Sequence, residues 1–147
     1  MAVKIIDGDL FSASARYICH QVNCQGRMGS GIAKVIREKF PEAFQKYKEE
    51  CKKGACLGHV QYVLSNGKII INMFAQDRYG YDGARYTDYD AFMNCLSEIK
   101  SAVPNGATIA MPYKIGCGLG GGDWNIVYGL IDQILGQQYT VELWRIA

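Results

Sequence analysis

The sequence predicts an α/β protein with a central mixed sheet of about six strands and helices on both faces. Apolar, strand-like runs alternate with amphipathic helical patterns in the second half of the chain, and a hairpin signal lies in the middle. Two glycine-rich segments each connect a strand to a helix. Such alternation is typical of parallel strands covered on both faces, and the hairpin adds an antiparallel pair.

Length and composition indicate one globular domain spanning residues 1–147. The chain is 49% hydrophobic and 20% charged, and this length suffices for a sizeable core. The net charge of +2 is too small to indicate nucleic-acid binding by itself. No signal peptide or membrane-spanning stretch is recognisable, so we expect a soluble, cytoplasmic and monomeric protein without membrane partners.

The cysteines favour free thiols over metal ligands or disulfides. No C-x-x-C pair occurs and the chain has only 2 histidines, so a zinc site is not expected. Disulfide frameworks belong to small secreted domains. We expect Cys19 and Cys95 in the core, and Cys24 and Cys117 beside a site. The full set is Cys19, Cys24, Cys51, Cys56, Cys95 and Cys117.

The first half of the chain predicts two strands followed by two helices. Residues 3–6 and 17–22 are short apolar runs, the second ending at the first glycine-rich segment. Residues 31–40 repeat apolar side chains at helical spacing. Pro41 ends that helix and begins another, which runs to the Lys-Lys-Gly at 52–54.

A hairpin and a polar loop follow. Asn66-Gly67 between the runs 60–64 and 68–73 is a strong signal for two antiparallel strands. Residues 76–85 are polar and aromatic, which predicts a loop. Thr87-Asp88-Tyr89-Asp90 resembles a capping box that would begin a helix at Thr87.

The last third predicts a strand at 108–111, a helix at 123–135 and a strand at 139–146. The two glycine-rich loops, at 22–33 and 112–124, therefore each leave the carboxyl end of a strand. Glycine lets backbone N–H groups approach a ligand, and a following helix N-terminus favours phosphate. The spacing matches neither a dinucleotide fingerprint nor a P-loop. We expect the loops to share one cleft for a ligand with two phosphates, or one phosphate beside a polar group.

These segments resemble the macro domain family, whose members bind ADP-ribose in a three-layer α/β/α fold. Residues 23–33 follow its pattern Asn-x-x-Gly-x-Met-Gly-x-Gly-Ile-Ala, residues 115–119 its Ile-Gly-Cys-Gly-Leu loop, and residues 8–11 its Gly-Asp-Leu-Phe segment. The resemblance extends from about Ile5 to Trp144. It is greatest for ADP-ribose 1''-phosphate phosphatases and terminal ADP-ribose protein glycohydrolases.

The resemblance implies a set of ligand contacts. Asp9 would bind the adenine amino group, Leu10 and Trp144 would line the adenine pocket, and Asn23 would contact the distal ribose. Without a ligand these residues would cap a turn, pack in the core and cap a strand end. The remaining contacts would come from Gly26, Arg27, Met28, Gly29, Ser30, Gly31 and Ile32 in the first loop, and from Ile115, Gly116, Cys117, Gly118, Leu119 and Gly120 in the second.

Two residues are candidate catalytic groups. His20 precedes the first loop, where the phosphatase branch has a histidine implicated in catalysis, and an ordinary pKa of about 6.5 suits an acid or base. Its alternative role is that of a core histidine. Asp123 lies in a Gly-Gly-Asp-Trp segment like that of the same branch, where it would pair with His20. Its alternative role is a helix N-cap, and both roles are compatible.

One departure from the family weakens the glycohydrolase assignment. That branch has a lysine after the hairpin and an aspartate after Gly-Cys-Gly-Leu, whereas this chain has Gln76 or Asp77 and Gly120. Lysine-adduct chemistry is therefore not expected. The resemblance implies a hydrolase of ADP-ribose 1''-phosphate that needs no metal or cofactor. Alternatives are release of ADP-ribose from protein or DNA, and ADP-ribose binding without turnover. Nucleic-acid binding through Tyr79, Tyr81, Arg78 and Arg85 is more distant, since a loop rich in tyrosine equally suits a lid over the ligand.

Overall fold

The computed structural model describes residues 1–54 and 57–146; Cys56 and its predicted thiol lie outside them. In this part of the chain six strands and four α-helices are found, with a short 3₁₀ helix at Leu10–Ser12. The strands are β1 (Val3–Asp7), β2 (Tyr17–Val22), β3 (Val60–Ser65), β4 (Lys68–Phe74), β5 (Thr108–Pro112) and β6 (Thr140–Arg145). The helices are α1 (Gly31–Lys39), α2 (Pro41–Lys52), α3 (Tyr89–Ala102) and α4 (Trp124–Leu135).

The strands form one mixed sheet in the order β1-β6-β5-β2-β4-β3. The β3–β4 hairpin is antiparallel and every other neighbouring pair is parallel. Adjacent β2 and β5 are paired at two positions, Tyr17 with Ile109 and Ile18 with Ala110. The carboxyl ends of β2 and β5 therefore lie side by side at one edge of the sheet, as the sequence predicts.

The two faces of the sheet carry separate cores. Along β2, Ile18 packs in a cluster with Ile36 of α1, whereas Cys19 packs with Leu96 of α3 on the opposite face. Side chains of a strand alternate between faces, so one strand supplies both cores. Helices α1 and α2 cover one face and α3 and α4 the other, which confirms the predicted fold.

Local signals agree with the prediction except at one helix start. Asn66 and Gly67 have φ of 48° and 76°, the left-handed conformation that a tight two-residue hairpin turn requires. The capping box at Thr87 is wrong by one residue: Asp88 is the N-cap of α3 and accepts from the Ala91 N–H. Thr87 is instead buried and donates to the carbonyl of Gly116.

The buried cysteines and the lengths of the helices can also be compared with the predictions. Cys19 and Cys95 are fully buried free thiols in the core, as predicted. Within the described residues no helix is both long and apolar enough to cross a lipid bilayer.

Candidate ligand-binding cleft

A cleft of about 470 Å³ opens where β2 and β5 end. Its walls are the two glycine-rich loops, and its remaining side is the loop after β4. Among the residues assigned to the ligand from sequence, it is lined by His20, Asn23, Arg27, Gly29, Ser30, Gly31, Ile32, Ile115, Gly116, Gly118, Leu119 and Gly120. The prediction that both loops share one cleft is therefore confirmed.

The first loop is held by a buried tyrosine of α2. The Tyr47 hydroxyl donates to Asn23, whose backbone and side-chain oxygens both lie 2.7 Å away, and it accepts from the Arg27 N–H at 3.1 Å. The Asn23 side chain also accepts from the Gln25 N–H and donates to the Arg27 carbonyl. Burial raises the pKa of Tyr47, so the hydroxyl keeps its proton. The loop is thus shaped before any ligand arrives.

The second loop is held by a chain of side chains from β2 and from the segment before α3. Gln21 donates to Gln76 and to Thr87, and Thr87 donates to the Gly116 carbonyl at 2.6 Å. The Gly120 carbonyl accepts from the Thr87 N–H at 2.9 Å. The Gln21 Oε1 atom is buried and has no hydrogen-bond partner within the described residues.

Close approach explains why glycine occupies two positions in this loop. A Cβ at Gly120 would lie 2.6 Å from the Thr87 hydroxyl, and one at Gly116 would lie 2.8 Å from Gln21 Oε1. Gly116 also has a φ of 77°. Any larger residue would push this loop away from the strand end.

A tyrosine pair borders the cleft opposite the glycine loops. Tyr81 is 69% exposed, and its hydroxyl lies 2.8 Å from that of Ser30 in the first loop. Tyr79 contacts Tyr81 edge to face. The hydrogen bond ties the β4–α3 loop to the first glycine loop at the border of the cleft.

His20 lies on the cleft wall but is only 2% exposed. Its Nε2 is 2.6 Å from Oδ1 of Asn72, which faces it in the register of β2 and β4. The Asn72 amide nitrogen donates to the Ala43 carbonyl and to Gln61, so its oxygen must be the acceptor for the His20 N–H. The proton therefore sits on Nε2, and the unprotonated Nδ1 has no partner within the described residues.

Burial also sets the charge of this ring. Desolvation lowers the pKa of His20 to about 4, against a smaller opposing effect of the Asn72 hydrogen bond. At neutral pH the imidazole is uncharged, and its free nitrogen can only accept a hydrogen bond.

Asp123 lies outside this cleft wall. Its carboxylate is the N-cap of α4 and accepts from the Asn125 N–H at 2.9 Å, while its own N–H donates to the Tyr89 hydroxyl. Helix α4 covers the sheet face opposite the one toward which Ile18 points. His20 is two residues after Ile18 in β2, so its side chain points to the same face as that of Ile18. The structure therefore does not bring His20 and Asp123 into hydrogen-bond contact.

The predicted adenine residues form a separate cluster near the strand ends of β1 and β6. Leu10 is buried, and Trp144 packs against the core cluster that contains it. A Cβ at Gly8 would lie 3.2 Å from the Trp144 ring. Asp9 is exposed and accepts from the Phe11 N–H, which is the turn-capping role.

The other predicted contacts lie beside the cleft. Met28 is buried beneath the first loop, and Gly26 and Cys24 face a second groove behind it. Burial raises the pKa of the Cys117 thiol to about 11. Across residues 1–54 and 57–146, no three His, Cys, Asp or Glu side chains gather as a metal ion would require.

Sequence reasoning missed the residues that support the loops. Tyr47, Asn72, Gln21 and Thr87 each act on a loop or side chain far away in sequence. Tyr47 had the only visible signal, a polar hydroxyl on an otherwise apolar helix stripe.

The fold and the paired glycine loops define a phosphate-binding α/β domain. The chain matches the family model described as Macro domain over residues 19–131. It therefore belongs to the macro domain family.

The relatives of this chain include one uncharacterised protein and two enzymes whose names give different substrates. An uncharacterised 17.5 kDa protein of Enterobacteria phage T4 is 32% identical, covering 90% of this chain and 89% of the relative. A DNA ADP-ribosyl glycohydrolase of Mycobacterium tuberculosis is 32% identical over 82% of this chain, which spans only 35% of that protein. An ADP-ribose 1''-phosphate phosphatase of Lodderomyces elongisporus is 28% identical, covering 96% and 98% of the two chains.

Solved structures agree on the architecture. A protein of unknown function from Bacteroides thetaiotaomicron superposes with a TM-score of 0.84 at 27% identity, covering 99% of both chains. The six-stranded sheet and its four helices are therefore shared along the whole length of that protein.

Proposed function

We propose that this chain binds ADP-ribose in the cleft and hydrolyses a bond at C1'' of the distal ribose. Two glycine loops at adjacent strand ends suit a diphosphate, because their N–H groups and the α1 N-terminus favour negative charge. The names of two relatives, one acting on ADP-ribose 1''-phosphate and one on ADP-ribosylated DNA, support the same ligand.

ADP-ribose 1''-phosphate is the substrate we favour. Hydrolysis would consume one water molecule and release inorganic phosphate and ADP-ribose. The observation that carries this proposal is His20, a neutral ring on the cleft wall with its proton on Nε2 and with an Nδ1 that is buried and unpartnered within the described residues. With a pKa near 4, the ring would orient a water molecule or ribose hydroxyl by accepting its proton in a hydrogen bond. It would not donate a proton at neutral pH.

Phosphate release from ADP-ribose 1''-phosphate tests this function. We expect wild-type turnover and a large loss in His20→Ala, while calorimetry with ADP-ribose shows that the variant still binds. Full turnover in His20→Ala would remove the histidine from the mechanism. Tight ADP-ribose binding by the wild type with no turnover would leave a binding module only.

Release of ADP-ribose from a macromolecule is the second candidate. Its specific support is the 32% identity to a DNA ADP-ribosyl glycohydrolase, although that match spans 35% of the relative. Release of ADP-ribose can be measured from ADP-ribosylated DNA and from an ADP-ribosylated protein, in parallel with phosphate release from ADP-ribose 1''-phosphate. The comparison shows which of these substrates the chain hydrolyses. We further propose that the chain acts in the cytoplasm as a monomer, which sedimentation and cell fractionation would check.

A further inference from the structure

A second groove lies behind the first glycine loop, on the side away from the cleft. It has a volume of about 620 Å³ and runs between that loop, α1 and α2. Arg27 and Gly29 line both the groove and the cleft, so the two cavities share one wall. A molecule that fills the cleft and continues past this loop would enter the groove.

The groove is strongly basic. Four cations line it and none of its described lining residues is acidic. The four are Arg27, Arg37, Lys48 and Lys52. None of them has a carboxylate oxygen within 4.0 Å in the part of the chain that the structure describes. Their charge is therefore available to a bound anion.

An aromatic ring holds two of these cations together. The Arg37 guanidinium lies 4.6 Å from the centre of the Phe44 ring, and Lys48 Nζ lies 5.9 Å from the same centre. Phe44 packs in turn against Tyr47, which fixes the first loop. The cations are thus gathered at one place and connected to the loop that borders the cleft.

The segment of the chain that supplies the groove is more basic than the chain as a whole. Residues 27–53 contain eight of the 16 Lys and Arg residues and only four of the 14 Asp and Glu residues. This segment carries +4 although the chain carries +2, so the remainder is net negative. The small overall charge therefore conceals a basic segment that supplies every cation of the groove, and clustered Lys and Arg are the usual electrostatic footprint of a polyanion site.

We propose that this groove binds the sugar–phosphate backbone of a nucleic acid whose ADP-ribose group occupies the cleft. Arginine guanidinium groups recognise phosphate through paired N–H donors, and two lysines add unpaired positive charge. A backbone with one charge on every nucleotide matches a groove lined by four cations and no described acidic residue better than the mixed charges of a protein surface do. This inference rests on the proposed function, because it takes the cleft to hold ADP-ribose.

The test compares Arg37→Gln/Lys48→Gln with a control, Lys4→Gln/Lys100→Gln, that removes the same charge from exposed residues elsewhere. Fluorescence anisotropy would follow a short single-stranded oligonucleotide carrying ADP-ribose on its terminal phosphate, as DNA and as RNA. Titrations at several salt concentrations give the slope of log affinity against log salt. Calorimetry measures the binding of free ADP-ribose and of an ADP-ribosylated acidic peptide to the same proteins.

We expect the groove variant to bind free ADP-ribose as the wild type does, but to bind the modified oligonucleotide more weakly. Its salt slope should fall by about 0.7 for each phosphate that the variant no longer neutralises. The control should match the wild type. An unchanged slope in the groove variant, or an equal weakening of peptide binding, would overturn the groove assignment. Failure of the wild type to bind free ADP-ribose would instead overturn the proposed function.

Discussion

Nε2 of His20 donates a 2.6 Å hydrogen bond to Oδ1 of Asn72, and this bond fixes the orientation of an imidazole that burial keeps neutral. Asn72 can serve only as the acceptor in this bond, because its amide nitrogen already donates to the Ala43 carbonyl and to Gln61. A histidine that the sequence presents as either acid or base is thereby left with a single chemical property, an acceptor at Nδ1.

The stability of the protein should fall with acid because of this ring. The unfolded histidine takes up its proton below about pH 6.5, whereas in the folded protein the pKa of His20 is about 4. The unfolded state therefore binds more protons between these values. From pH 7 to pH 5, we expect the wild type to lose about 2 kcal/mol more stability than His20→Gln does.

Urea denaturation of both proteins at each pH measures this difference. Carboxylates with a lowered pKa, such as Asp7 and Asp82, also lose stabilisation as the pH falls, but equally in both proteins. Parallel pH profiles for the wild type and His20→Gln would mean that the ring is not buried in its neutral form.

Tyr47→Phe should loosen the first glycine loop. The substitution keeps the ring in the core but removes the hydroxyl that joins Asn23 to the Arg27 N–H. The buried Asn23 carbonyl would lose its partner, although the Asn23 side chain would keep the Gln25 N–H, and this loss should cost about 1–3 kcal/mol of stability and weaken ADP-ribose binding. Tyr128→Phe is the matched control, because the described residues give its hydroxyl no hydrogen bond. Calorimetry measures ADP-ribose affinity and urea titration measures stability. Equal affinity and equal stability in Tyr47→Phe and Tyr128→Phe would contradict the role of Tyr47.

Gly120→Ala should displace the second loop. The new methyl group would lie 2.6 Å from the Thr87 hydroxyl and 2.7 Å from the Gly116 carbonyl, both of which belong to the network that holds the loop. Gly118→Ala, at another position on the cleft wall, meets no atom within 4 Å. We expect Gly120→Ala to lower both the melting temperature and the affinity, and Gly118→Ala to keep the melting temperature. Equal melting temperatures would show that the loop can adjust.

Asp123 can be tested for catalysis separately from helix capping. Asp123→Asn keeps an acceptor for the Asn125 N–H, so α4 should retain its cap, whereas Asp123→Ala should lose about 1 kcal/mol. Because the carboxylate lies outside the cleft wall, we expect Asp123→Asn to keep phosphate release near the wild-type rate. A large fall in turnover with unchanged stability would restore the pairing with His20 that the sequence suggests.

The sequence predicted what depends on nearby residues. The bounds of β2 and the turn at Asn66-Gly67 follow from local periodicity and local turn chemistry. The cap of α3 was placed one residue early, because Thr87 and Asp88 are both good caps and only the structure shows which side chain has another partner.

What the sequence did not predict depends on the order of the strands. Asn72 is 52 positions from His20, and it meets the ring only because β4 lies next to β2 in parallel register. The basic groove was missed for a related reason. Its cations are separated along the chain and are offset by acidic residues elsewhere, so the net charge of +2 conceals them.

The short pairing of β2 with β5 divides the sheet into two arms beneath the cleft. Tyr17 and Ile18 pair with β5, and beyond them each strand continues toward its own loop. Tyr47 supports the first loop and Thr87 the second, and Gln21 of β2 connects the two sides through its hydrogen bond to Thr87. A change in one loop can therefore reach the other through Gln21, so we expect the two walls of the cleft to respond together when either of them is altered.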